Sequence, residues 1–327
     1  MGAAATLLAL DDAKLDVTVL RRKASAIICG VAMMDFGGIT SGMDAMMHRG
    51  MRGVRPRLVT VANVANVAST IASELNLTSR TMTIQSSCCG GADAIGQAAQ
   101  LVASGEVDVA ICGGTEAPLY RHPLLEFRAA GMTPSSAQLA ERQSRPFDLW
   151  RTTGVISEGA CMFVIEPDES PRAAYGWIDG YGYAGDPPEQ LCGGLESAIR
   201  IALADARTRT EAVEALSACA PGHRLVDAAE TATMYRIFGA QTKSIASYSI
   251  KGAVGHALAA APAIQVAAAA LGLNSGSILP TVNFRDRDPT CDLNVDSRPR
   301  ELSHGNCLIS AHGSCGTNAA LLLTRCG

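Results

Sequence analysis

Apolar positions along this chain gather into short unbroken runs, each closed by glycine or polar residues, that alternate with longer stretches where leucine and valine recur among alanines. Residues 24–30 and 159–166 have the length and closure of buried strands, and residues 107–112 are apolar apart from Asp108. Residues 82–84 and 243–248 read as further strands, and 216–220 is another short apolar run. The spacing predicts helices over 3–16, 58–75, 92–104, 195–206 and 227–238. Strand, glycine turn, helix and strand in succession is the rhythm of an α/β protein whose sheets are covered on both faces. The rhythm returns after residue 216. In each half a strand ends in a polar, glycine-bearing turn that opens a helix of small residues, Cys88-Cys89-Gly90-Gly91-Ala92 first and Lys251-Gly252-Ala253-Val254-Gly255-His256 second. We read a duplication, with halves spanning 1–166 and 167–327. Residues 252–273 carry no charge over nearly the span of a bilayer. Their bulk is alanine, interrupted by His256, Pro262 and Gln265, which fits a close-packed central helix rather than a membrane span.

Composition narrows the function classes. The chain has 327 residues, 48% apolar and 18% charged, with 27 basic against 31 acidic side chains and a net charge of −4. With no basic cluster, it lacks the footprint of a nucleic-acid binder. Eleven cysteines in a long chain, an odd number with no secretory leader, read as reduced thiols of a cytoplasmic protein. Neither a Cys-x-x-Cys pair nor a His-Glu-x-x-His helix occurs, so no metal site is expected, and no cofactor is implied.

Three constellations carry candidate chemistry. Cys88 stands where a strand turns into a helix, a position at which unpaired N–H groups favour a thiolate, and Gly90 and Gly91 leave room for a substrate. A buried structural cysteine beside a tight turn fits the same pattern. Lys251 is one of only four lysines and opens an alanine-rich helix, with His256 about one turn further on. Such an imidazole can act as a base or donate to an oxyanion, or equally be a satisfied core residue. The third is His312-Gly313-Ser314-Cys315-Gly316-Thr317-Asn318, small enough for its N–H groups to approach a ligand, before the apolar run 319–323.

Residues 83–96, centred on Cys88, resemble the nucleophile segment of the β-ketoacyl synthases, the decarboxylating condensing enzymes of fatty-acid and polyketide assembly. Further blocks follow in that family's order: 113–117, 144–148, 154–160, 227–231, 249–256 and 316–318. The resemblance covers nearly all of the chain from about Ala24 onward. It implies a thiolase-like fold of five layers (α-β-α-β-α), built from two pseudo-repeated halves and usually dimeric. It implies that Cys88 accepts an acyl group from a carrier-protein or coenzyme A thioester. His256 matches the histidine that assists decarboxylation and stabilises the enolate or oxyanion, and Lys251 the lysine of the same motif, whose acidic partner matches Glu230. The N–H groups of Cys88 and Ser314 would form the oxyanion hole. Cys219, His312, Gly313, Ser314 and Asn318 would line the substrate.

The departures matter as much. Counted back from Asp227, the family's other catalytic histidine falls on Cys219, so one imidazole is missing and decarboxylative condensation is doubtful. His223, or His312 where the family has phenylalanine, are the rings that would have to replace it. Ser314 and Cys315 stand where the family places phenylalanine and glycine, predicting a more open, more polar channel. The family's first strand has no counterpart before Ala3, which implies either a trimmed or mis-started reading frame or an edge of the first sheet that a partner must cover. The reading is a β-ketoacyl-synthase-like acyltransferase of fatty-acid or polyketide biosynthesis, acylated on Cys88. Its partners would be acyl carrier protein or coenzyme A thioesters, in a homodimer or a heterodimer with another ketosynthase-like chain. The alternative is a non-catalytic, chain-length-factor-like subunit of a ketosynthase heterodimer.

Overall fold

The computed structural model describes residues 1–327 other than 136–138, 140, 141, 303, 304 and 327. Its strands are β1 (Ser25–Gly30), β2 (Arg80–Ile84), β3 (Val109–Glu116), β4 (Gly159–Ile165), β5 (Trp177–Gly185), β6 (Ala215–Ser217), β7 (Ala246–Tyr248), β8 (Ser277–Ile278), β9 (Asn294–Val295), β10 (Arg300–Glu301), β11 (Asn306–Gly313) and β12 (Thr317–Thr324). A four-stranded sheet runs β2-β1-β3-β4 and a six-stranded sheet runs β5-β12-β11-β6-β7-β9, with β8 and β10 paired apart. The duplication expected from the sequence is visible in the pairing. In β2-β1-β3-β4 the first two contacts are parallel and the last antiparallel, and β7-β6-β11-β12 repeats that pattern.

Five layers follow from where the apolar faces go. Helices Gly2–Asp12 and Asn66–Glu74 bury Leu10, Ile71 and Ala72 with Ile27 and Ile111 on one side of the first sheet. Helices Gly90–Ala103 and Ala260–Ser275 fill the space between the sheets, where Ile95, Ala98, Ala263 and Val266 meet Ile28 and Ile309. Helices Leu195–Asp205 and Arg224–Phe238 cover the far side of the second sheet through Leu195, Ile199, Met234 and Leu308. The alternation along β11 explains the arrangement, since Ile309 and Ala311 face the central layer and Leu308 the outer one. The charge-free segment is thus a central helix. Among the described residues no helix is long and apolar enough to cross a membrane.

Small residues set the spacing at the heart of the molecule. A Cβ on Gly30, at the end of β1, would lie 2.0 Å from the carbonyl carbon of Gly90, so strand and helix touch backbone to backbone.

Local boundaries differ from the sequence reading in instructive ways. The predicted helix over 58–75 is two helices, Leu58–Val61 and Asn66–Glu74, because Asn63 accepts from the Ala65 N–H and diverts the backbone between them. The strand expected to stop at residue 112 continues as β3 through Gly113 and Gly114 to Glu116, its glycines admitting the neighbouring Cys161 and Ala259 carbonyls. Residues 243–245 lie outside β7, which follows a 3-10 turn at Gly239–Lys243. The helix after the second polar turn is divided, with a short piece at Lys251–Val254, Gly255 at φ 72°, and the main helix from Ala260. Strands β5 and the body of β11 were not anticipated.

Candidate active site

β2 leads into Ser87, which sits in the left-handed region at φ 55° and turns the chain sharply. A 3-10 turn, Ser87–Cys89, then delivers Cys88 at the head of the central helix that starts at Gly90. Cys89 points away and donates its thiol to the Thr317 carbonyl at 3.3 Å, which leaves Cys88 as the available sulfur of the pair. Cys88 is buried against Ile156 and Leu258. Burial pushes its thiol up to about 11, and the neighbouring Cys219 adds to this. Lys251, the Ser87 hydroxyl and the Ser314 backbone N–H pull in the opposite direction. The thiolate expected from a helix start is therefore not the resting form. One reason is that the Gly91 N–H, at the helix head, is already taken by the Ala259 carbonyl at 2.9 Å.

The second half encloses this turn from the other side. Gly313 and Thr317 face each other across the β11–β12 hairpin, and Thr317 Oγ1 donates to the Ser86 carbonyl at 2.9 Å. A Cβ on Gly313 would stand 2.9 Å from Ser87 Cβ. Ser314 is exposed, with its hydroxyl 3.4 Å from that of Ser87. Its N–H is directed at Cys88, the geometry wanted of one oxyanion donor.

Lys251 is 2% exposed, and among the described residues no carboxylate lies within 4.0 Å of its ammonium. The direct Lys251–Glu230 pair implied by the resemblance is replaced by an arrangement through the main chain. Lys251 Nζ donates to the Cys219 carbonyl and lies 3.4 Å from Cys219 Sγ. Glu230 accepts from the Cys219 and Ala220 N–H groups at 2.9 and 2.8 Å, and from the Ser310 hydroxyl at 2.5 Å. Charge of each sign thus grips opposite faces of the same peptide segment. Gln265, from the central helix, donates to the Ser217, Ala218 and Ser310 carbonyls and fixes that segment to the core.

His256 hangs from the loop before the central helix, its N–H bonded to the Val155 carbonyl at 2.7 Å. Its Nδ1 is buried without a hydrogen-bond partner. Burial first, then the Lys251 and His312 charges, hold the ring well below the usual imidazole range, so it is neutral. His223 caps the Arg224–Phe238 helix as the residue before it, and burial and Arg151 lower it too. His312, on β11, holds Asn318 Oδ1 at 2.9 Å through Nδ1, while its carbonyl lies 3.8 Å from Cys219 Sγ. Asn318 Nδ2 donates to Asp186 Oδ1 at 2.7 Å and to the Ala184 carbonyl at 3.3 Å.

The structure therefore gathers Cys88, Cys219, Lys251, Glu230, His256, His312 and Gly313 in one buried region, with exposed Ser314 at its rim and Asn318 bonded to His312. Sequence reasoning missed Asp186, Ser310 and Gln265. No local pattern marks them, because each acts by a contact across the fold. A separate lock holds residues 144–151 in place: Arg151 pairs with Asp227 at 3.5 Å and with Asp288, and Asp148 accepts from the Arg285 and Asp286 N–H groups.

Comparisons with known proteins agree with this geometry. Residues 1–170 match the family model described as beta-ketoacyl synthase, N-terminal domain, and residues 175–285 that of the C-terminal domain. The chain is 33% identical to a putative polyketide beta-ketoacyl synthase 1 of Streptomyces cyaneus, covering 84% of this chain and 67% of that one. It is 26% identical to a 3-oxoacyl-[acyl-carrier-protein] synthase 2 of Coxiella burnetii, over 97% of this chain and 79% of that one. The solved ishigamide ketosynthase/chain length factor superposes with a TM-score of 0.92 at 28% identity, covering 99% of this chain and 81% of that chain.

Proposed function

Because the chain belongs to the β-ketoacyl synthase family, we propose that it is a ketosynthase-type acyltransferase of fatty-acid or polyketide biosynthesis that carries its acyl group on Cys88. One observation carries the reading. The thiol of the Cys88-Cys89 pair that makes no bond to the Thr317 carbonyl stands at a helix head with the Ser314 N–H directed at it and Lys251 near it. In the first half-reaction Cys88 sulfur attacks a thioester carbonyl, the Cys88 and Ser314 N–H groups receive the oxyanion, and the donor thiol leaves. A second half-reaction, in which a malonyl thioester loses carbon dioxide and its enolate attacks the acyl carbonyl to release Cys88, is the step that the missing imidazole makes doubtful.

Cys219 bears on the second step alone, since the sulfur there provides no imidazole. The acyl donors and acceptors are carrier-protein or coenzyme A thioesters. A dimer, with itself or another ketosynthase-like chain, is the expected assembly. The site draws on both of the proposed halves, 1–166 and 167–327, with Cys88 from the first and His256 and His312 from the second. Cys219 also favours a second reading, a non-catalytic subunit that shapes the pocket of a true ketosynthase.

Intact-protein mass spectrometry after mixing with a panel of acyl thioesters, then with malonyl carrier protein, separates these readings, with Cys88→Ala as the control. An adduct on Cys88 supports acyl transfer, and its extension by malonyl carrier shows condensation. No adduct with any thioester would sink the acyltransferase reading and leave the partner subunit.

A further inference from the structure

Ser87 is held at φ 55°, a conformation that persists in a residue with a side chain only where its surroundings over-determine it. The turn it makes aims Cys88, so whatever fixes the residues on either side of Ser87 also fixes the sulfur. After the turn the central helix does this, with the Gly91 N–H on the Ala259 carbonyl at 2.9 Å. Before it stands Ser86, and both polar groups that Ser86 offers are taken. Its carbonyl accepts from Thr317 Oγ1 at 2.9 Å and from the Cys89 N–H at 3.2 Å. Its hydroxyl donates to Oδ2 of Asp93, a residue only 8% exposed.

Asp93 lies in the first turn of the central helix, where the helix dipole favours a negative charge, but a buried carboxylate needs donors for both of its oxygens. The second donor comes from the other half of the chain. Tyr181, in β5, gives its hydroxyl to Asp93 Oδ1 at 2.8 Å. Tyr181 is itself fixed three ways. Its ring lies against the central helix at Gly96, where a Cβ would stand 2.2 Å from a ring carbon. Its N–H donates to Asp205 at 3.0 Å, and its ring stacks on Tyr183 with centroids 5.6 Å apart. Ser86 is therefore tied through Asp93 to β5 and through its carbonyl to β12, two strands that pair with each other in the second sheet.

Resting on the reading that Cys88 is the acyl carrier, we propose that Asp93 is a positioning residue for Cys88, acting through Ser86, with Tyr181 holding the carboxylate from the second half. The carboxylate makes and breaks no covalent bond. Its two oxygens carry the placement of β5 to the residue before the strained turn, so the aim of a sulfur in the first half is set by a strand of the second. An alanine at 93 releases the Ser86 hydroxyl and leaves Ser87 without one of the ties that over-determine it. Ser87 then relaxes toward an ordinary φ, Cys88 swings from its place, and Cys89 comes away from the Thr317 carbonyl that holds its thiol.

The test labels the protein with iodoacetamide and reads Cys88 against Cys89 by fragmenting the peptide that carries both, in wild type, Asp93→Ala, Ser86→Ala, Asp93→Asn and the double alanine variant. Buried Cys112, in β3, reports general loosening. Wild type is expected to take label on Cys88 in preference to Cys89, whose sulfur is bonded to the Thr317 carbonyl. Each alanine variant should lower the Cys88-to-Cys89 ratio about fivefold or more while Cys112 stays protected. Asp93→Asn keeps one oxygen for the Ser86 hydroxyl and should retain most of the preference. The double variant should match the worse single within about twofold, because both act on one tie. A ratio unchanged in both alanine variants overturns the proposal. Cys112 labelling that rises in step with Cys89 in Ser86→Ala also overturns it, as the mark of a merely structural role, and effects that multiply in the double variant overturn the action through Ser86. Acylation of Cys88 by acetyl-, hexanoyl- and decanoyl-coenzyme A is followed alongside in single turnovers. Its maximal rate should fall about tenfold or more in both alanine variants, with the half-saturating concentration within about twofold of wild type. A wild type that labels selectively but never acylates removes the acyltransferase reading and leaves the Asp93 assignment to the label ratio. Acylation at the wild-type rate in every variant keeps that reading and overturns the assignment, and a wild-type Cys88 that neither labels nor acylates overturns both.

Discussion

Glu230→Gln isolates the consequence of gripping one peptide segment from both sides. The substitution keeps the volume of a fully buried side chain and removes its charge. Glu230 accepts three hydrogen bonds, from the Cys219 and Ala220 N–H groups and the Ser310 hydroxyl, divided between its two oxygens. A glutamine has one accepting oxygen, so its NH2 must face a backbone N–H. A buried donor left without a partner costs roughly 1–3 kcal/mol. The negative charge that offsets the buried Lys251 ammonium across the Cys219 peptide also disappears, and breaking one side of such a balance costs roughly 3–5 kcal/mol. The two penalties share atoms and do not add fully, which leaves a loss of about 4 kcal/mol. Spread over the unfolding entropy of all 327 residues, that corresponds to a fall in Tm of about 6 °C. Differential scanning calorimetry reads it directly. Glu196→Gln is the control, since Glu196 is a surface acid paired with Arg200 and Arg236, and a change within about 1 °C is expected. Because the Cys219 peptide holds Lys251, the Glu230 variant should also acylate Cys88 more slowly. A Glu230→Gln protein melting within 1 °C of wild type would refute the reasoning, because the Glu230 charge would then not be needed to hold the segment.

Gly30→Ala forces a Cβ to within 2.0–2.4 Å of the Gly90 and Gly91 backbone. It should cost about 1–3 kcal/mol or more and slow acylation of Cys88 beyond what the loss of folded protein explains, read by thermal melting and acylation of the folded fraction together. Burial raises Glu116 to about 7 from 4.5, against the N–H groups of Ala32 and Met33 that it accepts from. The folded protein then holds a proton that the unfolded chain releases, so stability falls as pH rises from about 4.5 to 7, by up to about 3 kcal/mol from this group. Calorimetry from pH 5 to 8 should show the slope, and Glu116→Gln should flatten it; an unchanged slope would count against the assignment. Tyr181→Phe removes the 2.8 Å bond from its hydroxyl to buried Asp93 while keeping the ring that packs on Gly96. A loss of about 1–2 kcal/mol in urea unfolding is expected, and none would mean that Ser86 alone satisfies Asp93.

Legibility in the sequence followed the range of the interactions. Strand β1 could be read because all six of its residues are buried, which writes an unbroken apolar run. The helix Arg224–Phe238 could be read because one face meets the core and the other does not. β5 escaped because Gly180 and Gly182, where a Cβ would meet Ala202 and Ala198 carbonyls at 2.1 Å, dilute its apolar pattern. The candidate site was legible as far as residue identity carries chemistry: Cys88, Lys251, His256 and the 312–318 hairpin stand out and converge. What could not be read is which atoms face each other. The expected Lys251–Glu230 pair became two grips on Cys219, and the expected thiolate became a buried thiol, because desolvation outweighs the few donors that reach the sulfur.

These findings tie the two halves of the molecule to different tasks. The first half brings the sulfur, on a turn whose precision depends on Gly30 touching Gly90. The second brings Lys251, His256 and His312, from β11 and from the segment before the central helix. Position 219 lies where Lys251 and Glu230 hold the backbone itself, so the peptide there stays in place whatever side chain it bears. The backbone at 219 is thus held by Lys251 and Glu230 rather than by its own side chain alone. A ring on the adjacent strand at 312 is held by its own anchors, Asn318 and Asp186, which are independent of that peptide.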